Sequence, residues 1–241
     1  FLAWFLQDRM GSIDDWRHTI LPAALPSLVF IALILKEPDL GTAMVCAAVT
    51  ALMLWLAGMN MKYLGYAALA AIPVLYVMLF RVPWRRERLL AFLNPESDPL
   101  GKGYHIMQSL IAVGSGGFHG VGYMDGAAKL CYLPEPHTDY IFANIGQELG
   151  RSGSWVGVAL FVFIGYRGMR TALLSRDMFA RFLAFGITAT ILIQAFFNIS
   201  VVLALVPTMG ITLPFVSYGG TSLFIMLSLL GVLLNITKDV E

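Results

Sequence analysis

The chain has 241 residues, of which 58% are hydrophobic and 13% charged, whereas soluble domains are about half apolar and a quarter charged. Its net charge of +1 gives no reason to expect nucleic acid or an acidic partner. Its two cysteines, Cys46 and Cys131, have neither CxxC nor Cys/His spacing, so neither a disulfide framework nor a zinc site is supported. The composition therefore favours an integral membrane protein.

Uncharged runs along the chain predict the membrane spans, because a spanning helix needs about 20 mostly apolar residues. The first seven residues are too few, and we interpret them as the end of a span that begins before this sequence. The prolines and glycines between Pro207 and Gly220 divide the last charge-free run into two spans. The run at 154–166 is short and can be lengthened by the helical segment before it. The predicted fold is all-α, a polytopic transmembrane helix bundle with spans near residues 19–35, 40–61, 63–80, 154–166, 182–206 and 221–237.

Loop charges indicate an orientation. The linker 167–181 contains four arginines and one acidic residue, Asp177, so the positive-inside rule places it in the cytoplasm. Alternating the spans from there puts residues 8–18, 58–62 and the C-terminus inside, and residues 36–39, 81–153 and 207–220 outside. The arginines after residue 80 then lie outside, which is tolerated because long loops translocate largely regardless of charge.

We interpret residues 1–241 as one transmembrane domain in which residues 81–153 form a large extracytoplasmic loop. Apolar residues at helical spacing predict an amphipathic helix from Tyr104 to Val113, on the membrane surface. The glycine-rich segment 114–126 indicates sharp turns or a close approach of backbone. A second helix is predicted from Pro136 to Leu149, started by its proline and stopped by Gly150.

Three polar clusters fall on the outer side. The first contains Glu37 and Asp39, which either bind a ligand or merely form a turn in which Asp39 caps the next span. The second runs from Lys129 through Glu135, His137 and Thr138 to Asp139. In a helix that starts at Pro136, Glu135 and Asp139 would lie on nearly one face. The helix dipole would then keep Asp139 ionised, as a general base requires, although both charges could simply stabilise the helix and His137 could be structural.

The third cluster is the turn Ser217-Tyr218-Gly219-Gly220, which is either a tight connection or a place where backbone amides bind phosphate oxygens. It matches no complete P-loop. Six basic residues beside the carboxylates could contact a diphosphate, or could be ordinary solvated charge; they are Arg81, Arg85, Arg86, Arg88, Lys102 and Lys129.

Four segments carry a resemblance to a known family. EPDLGTA (37–43), the stretch 98–122, KLCYLPEPHTDYIFANIGQELG (129–150) and the stretch 198–222 resemble the shape, elongation, division and sporulation (SEDS) family, in order and over nearly the whole chain. The stretches KLCYLPEPHTD and PTMGITLPFVSYGG are more similar to its division-type members, whereas NPESDPLGKGYHI (94–106) also suits its elongation-type members. The family fold has ten spans with cytoplasmic termini, so the resemblance implies that this chain corresponds to the end of the fourth span through the tenth.

The resemblance also implies a function. Family members polymerise lipid II at the outer, periplasmic face of the bacterial cytoplasmic membrane, and undecaprenyl diphosphate leaves. Asp139 is then the expected general base, and substrate contacts are expected from Glu37, Asp39, Lys129, Glu135, His137, Thr138, Ser217, Tyr218, Gly219 and Gly220. A divalent cation, Mg²⁺ or Mn²⁺, is a candidate cofactor without being certain, and a class B penicillin-binding transpeptidase is the expected partner.

Two other functions remain open at this point. A lipid II flippase would need a polar path through the spans, in which Gln194 and Asn198 are the main polar residues. A non-catalytic scaffold of the division or elongation machinery would not need Asp139 for chemistry.

Overall fold

The computed structural model describes residues 1–9, 16–37, 39–98, 101, 103–123 and 137–238, and every regular element in them is helical. A π-helical turn, Trp16–Ile20, leads into α2, and a 3-10 turn, Pro95–Ser97, follows α5. The α-helices in these ranges are α1 (Leu2–Gln7), α2 (Leu21–Lys36), α3 (Leu40–Leu56), α4 (Met61–Phe80), α5 (Pro83–Leu93), α6 (Tyr104–Ser115), α7 (Ile141–Glu148), α8 (Gly150–Leu174), α9 (Met178–Val202) and α10 (Gly220–Lys238). The all-α prediction is confirmed.

Five of these helices are long and apolar enough to cross a membrane: α2 with its leading turn, α4, α8, α9 and α10. The remaining predicted span, at residues 40–61, corresponds to α3. This apolar helix has 17 residues and is about 26 Å long at 1.5 Å per residue. The structure therefore bears out a multi-pass membrane protein with spans where the uncharged runs placed them.

Contacts divide the chain into two compact units, which are described separately. Unit 1 comprises Phe1–Ala71, Val162–Ile193 and Phe224–Glu241. Here α1 packs on α2 and α3, and α2 packs along α3. The side chain of Asp39 caps α3, because its Oδ1 accepts a hydrogen bond from the Thr42 amide at 2.9 Å. The capping interpretation of Asp39 is thus confirmed.

Within unit 1, two glycines of α8 allow α9 to approach closely. A Cβ atom at Gly165 would lie 2.8 Å from Leu192 Cδ1, and one at Gly168 would overlap the Thr188 hydroxyl. Thr188 is buried, and its hydroxyl donates to the Ala184 carbonyl at 2.7 Å. Small residues at helix contacts permit such packing inside membranes, where lipid supplies no hydrophobic drive.

Unit 2 comprises Ile72–Phe161 and Gln194–Leu223. The short helix α7 lies at its centre and is buried on almost every side. Residues of α6, α7, α9 and the loop after α9 form its hydrophobic core, which includes Ala112, Phe142, Ala143, Val202 and Leu213. The helix predicted at 104–113 is α6, and its buried residues at three-residue spacing face α7.

The glycine-rich segment after α6 packs backbone against backbone at the junction of α7 and α8. The Val121 amide donates to the Gln147 carbonyl at 3.0 Å, and the Arg151 amide donates to the Gly117 carbonyl at 3.1 Å. Gly150 has a φ of +67°, a left-handed conformation that favours glycine. The prediction that Gly150 ends the helix and that this segment approaches other backbone closely is confirmed.

Three boundaries differ from expectation. Helix α7 begins at Ile141 rather than Pro136, so Asp139 precedes the N-cap residue, Tyr140, and does not lie in a first helical turn as expected. The linker predicted at 167–181 is shorter in the structure, because α8 continues past Arg167 and Arg170 to Leu174. Long basic side chains at the end of a span can extend to the membrane interface. The basic segment after residue 80 is helix α5, where a loop was expected. The prediction of one transmembrane domain stays a prediction.

Candidate active site

The four residues before α7, His137 to Tyr140, form a turn held by another loop of unit 2, the connection between α9 and α10. The Tyr218 amide donates to the His137 carbonyl at 2.8 Å. The Ser217 hydroxyl donates to the Thr138 carbonyl at 2.6 Å and accepts from the Leu213 amide at 2.8 Å. Main-chain atoms of the turn are therefore satisfied by the SYGG segment, which explains why the helix starts late.

Helix α9 supplies a further hold on the same turn. Asn198 is buried, and its Nδ2 donates to the Asp139 carbonyl at 2.8 Å and to the Ile211 carbonyl at 2.7 Å. The backbone of Asp139 is thereby tied to both a span and the second loop.

The side chain of Asp139 lines an open cavity of about 500 Å³ in unit 2. A Cβ atom at Gly210 would lie 3.8 Å from Asp139 Oδ2, so the loop backbone passes close to the carboxylate. The cavity combines two carboxylates, an arginine and a histidine with polar backbone; its lining consists of Arg88, Asp98, Gly101, His105, Asp139, Tyr140, Thr208, Met209 and Gly210.

His105 and Tyr140 form one wall of this cavity. Their rings stack with centroids 6.1 Å apart and planes at 29°. Burial, assisted by the positive charge of Arg88, lowers the pKa of His105, which favours the neutral imidazole. Burial and the charge of Asp139 raise the pKa of Tyr140 to about 12, although Arg88 acts in the opposite direction.

A second open cavity, of about 620 Å³, lies beside the SYGG segment. His137 is exposed there, and Tyr218 is 84% exposed. The Phe215 backbone has a φ of +66°, unusual for a bulky residue and typical of constrained functional segments. The cavity is lined by His137, Ile141, Phe215, Val216, Ser217, Tyr218, Gly219, Gly220 and Leu223.

The structure separates the predicted ligand-binding residues of this unit into three groups. Arg88 shares the cavity of Asp139, whereas the second cavity is lined by His137, Ser217, Tyr218, Gly219 and Gly220. Ser217 is buried with its hydroxyl engaged by two main-chain groups, which supports a structural part more than a substrate contact. Thr138 is half-buried, and its carbonyl accepts the Ser217 bond.

The other arginines of α5 and its surroundings are arranged differently. Arg85 is buried, and its guanidinium lies 5.1 Å from the centroid of the Trp84 ring. Arg81 and Arg86 are exposed and do not line the described cavities. The structure therefore brings one of these four arginines, Arg88, to Asp139, while diphosphate binding stays a prediction for all four.

The remaining predicted residues fall elsewhere. Glu37 is exposed at the end of α2 and Asp39 caps α3; both belong to unit 1, and substrate binding stays a prediction for them. Lys102, Lys129 and Glu135 lie outside the described residues.

The described residues contain no group of three His, Cys, Asp or Glu side chains that could hold a metal ion unaided. Asp98 and Asp139 nevertheless line one cavity, and Mg²⁺ is often held by one or two carboxylates together with substrate phosphates. A divalent cation shared between a carboxylate of this cavity and a phosphorylated substrate therefore stays a prediction.

Sequence reasoning missed several residues around Asp139. Asp98 lies 41 positions before Asp139 and His105 lies 34 positions before it, so sequence spacing could not reveal that they line the same cavity. For Asn198 a signal existed: a buried amide in an apolar span needs hydrogen-bond partners. The sequence alone places Asn198 only on a polar path through the spans.

The helices and the site define a class: a multi-pass membrane protein whose polar site is built from the loops between its spans. The family model FTSW_RODA_SPOVE, described as "Cell cycle protein", matches residues 1–241, and the chain belongs to this family. The resemblance found in the sequence is thereby confirmed.

Two curated relatives illustrate the match. A probable peptidoglycan glycosyltransferase FtsW from Geobacter sulfurreducens is 41% identical over 241 residues, 100% of this chain and 65% of the relative. Stage V sporulation protein E from Bacillus subtilis is 42% identical over 240 residues, 99% of this chain and 65% of the relative. The chain thus spans slightly less than two thirds of the length of these relatives.

Solved structures share the fold. A protein in the structure titled "Structural coordination of polymerization and crosslinking by a peptidoglycan synthase complex" has 30% identity and a TM-score of 0.77, covering 99% of this chain and 66% of that one. The rod shape-determining protein RodA of Thermus thermophilus has 24% identity and a TM-score of 0.63, covering 99% and 63%. The all-helical membrane fold is therefore that of this family.

Proposed function

We propose that the protein containing this chain is a peptidoglycan glycosyltransferase that polymerises lipid II in cell division or elongation. The observation that carries the proposal is the cavity that Asp139 and Arg88 both line, with Asp139 on a turn held by buried hydrogen bonds. The names of the FtsW relatives support the same activity.

In the proposed reaction, the Asp139 carboxylate takes the proton from the 4-hydroxyl of the acceptor disaccharide. That oxygen bonds to the anomeric carbon of the growing strand, and the bond from this carbon to undecaprenyl diphosphate breaks with inversion. Arg88 faces the same cavity and would stabilise the negative charge of the leaving diphosphate. A divalent cation, if used, would add positive charge there, with Asp98 as a protein ligand.

We further propose that this cavity opens at the periplasmic face of the cytoplasmic membrane and that a class B penicillin-binding protein is the partner. The loop charges support the orientation. The partner is supported by the structural neighbour, whose title describes a peptidoglycan synthase complex.

Asp139→Ala in the full-length protein, purified with its partner and supplied with labelled lipid II, tests the proposal. We expect strand formation to fall by a factor of about 100 or more, as loss of a general base usually causes. Asp177→Asn is the matched control, because Asp177 caps α9 through the Ala180 amide and Asn caps equally well; it should retain activity. Each protein is assayed with and without chelator.

Undiminished strands from Asp139→Ala would contradict its role as base. Absence of polymer from both wild type and mutant would instead favour a flippase or a non-catalytic scaffold.

A further inference from the structure

We propose that Asn198 is a positioning residue that sets the place of Asp139 in its cavity, an inference that rests on the proposed function. Asn198 lies on α9 and is 1% exposed. Its Nδ2 donates a hydrogen bond to the backbone carbonyl oxygen of Asp139 at 2.8 Å.

The same nitrogen connects two segments that line the cavity. One segment contains Asp139, and the other contains Thr208, Met209 and Gly210. The carbonyl of Ile211, the next residue, accepts the second hydrogen bond of Asn198 at 2.7 Å. One side chain therefore fixes the separation between the carboxylate and the loop that passes beside it.

The chemistry of the amide explains why asparagine suits this place. A side-chain amide nitrogen carries two hydrogens, one for each carbonyl, whereas a hydroxyl carries one and a carboxylate none. The Asn198 Oδ1 is buried without a hydrogen-bond partner among the described residues. A buried oxygen without a hydrogen-bond partner costs free energy, so packing alone does not explain why an amide occupies this position. The need of two backbone carbonyls for hydrogen-bond donors does explain it.

The experiment compares Asn198→Ala with wild type in the full-length protein with its partner, using labelled lipid II. We expect kcat to fall by a factor of about 10 to 100, the usual effect of a small misplacement of a catalytic group. The KM for lipid II and the number of lipid II molecules bound per protein should stay unchanged. A general loss of folded protein would instead lower that binding stoichiometry together with kcat.

Gln194→Ala is the matched control. Gln194 is an amide of the same helix four residues earlier, and its Oε1 is also buried without a hydrogen-bond partner among the described residues. This change should leave kcat as in wild type. Should Asn198→Ala fail to fold, Asn198→Ser provides the test: its hydroxyl can hold only one of the two carbonyls, so kcat should fall at unchanged binding stoichiometry.

A wild-type kcat in the Asn198 variants, or a fall in kcat matched by an equal fall in binding stoichiometry, would overturn the positioning role while the proposed function stands. Absence of polymer from the wild-type protein would overturn the proposed function and this inference with it.

Discussion

His105 and Tyr140 illustrate how single residues of the cavity are tuned by their surroundings. The imidazole is partly buried, stacks on the phenol ring and has Arg88 for a charged neighbour, so its pKa is lowered. A histidine held neutral in the folded protein binds its proton more readily after unfolding, because an unperturbed histidine has a pKa near 6.5.

The pH dependence of stability should reveal this histidine. Below pH of about 6.5 the unfolded chain gains a proton that folded His105 does not, so stability falls as the pH decreases toward the lowered folded pKa. We expect the thermal unfolding midpoint to drop between pH 7.5 and 5.0, and to drop less in His105→Gln. Exposed His119 of the same unit provides the control: His119→Gln should keep the wild-type pH dependence, and an equal drop in all three proteins would contradict the explanation.

The sequence motif identified Asp139 as a candidate, but it did not predict the hydrogen bonds that hold the turn around it. The hydrogen bonds that hold its turn join residues 59 and 79 positions apart, and spacing along the chain carries no information about such pairs. Local signals predicted a helix from Pro136 to Leu149. The turn departs from it because its carbonyls are bound by Asn198, Ser217 and the Tyr218 amide.

At the scale of elements, the close contact between α8 and α9 depends on Gly168, which has no side chain. Gly168→Ala places a methyl group against the Thr188 hydroxyl, which is fixed by its bond to the Ala184 carbonyl. Overpacking of this kind typically costs about 1–3 kcal/mol, more than the helix propensity that alanine gains, at most about 1 kcal/mol.

We therefore expect Gly168→Ala to lower the thermal unfolding midpoint of the purified protein in detergent. Gly231→Ala on α10 is the control, because no described atom lies within 4 Å of its added Cβ; it should be neutral or stabilising. Combining Gly168→Ala with Thr188→Ala removes the clash and should restore part of the loss. A Gly168→Ala protein as stable as Gly231→Ala would show that the helices can separate without cost.

The helices predicted well from the sequence are those in which nearly every residue of a long segment is apolar. Hydropathy identified α2, α4, α9 and α10 because lipid imposes the same requirement along a whole span. Helix α5 was missed because its charges suggested a loop, whereas Pro83 at its first turn and the contact of Arg88 with Trp84, four residues earlier, suit a helix.

At the scale of the whole molecule, the loop charges predict which ends of the spans face the outside. Tyr123, which is 75% exposed, follows α6 in the predicted outer loop, and Asp177 is exposed in the predicted inner connection between α8 and α9. In intact cells, a membrane-impermeant maleimide should label Tyr123→Cys and not Asp177→Cys, on a Cys46→Ser, Cys131→Ser background. Permeabilised cells should label both, and the reverse pattern in intact cells would invert the orientation.

The turn that carries Asp139 is secured through carbonyl oxygens at three successive residues, His137, Thr138 and Asp139. Every amino acid offers the same carbonyl, so these three hydrogen bonds do not depend on which side chains the turn displays. A protein engineer can therefore exchange the side chains at 137 and 138 to suit a different sugar or headgroup without removing these bonds, provided that the donors at 198, 217 and 218 are kept.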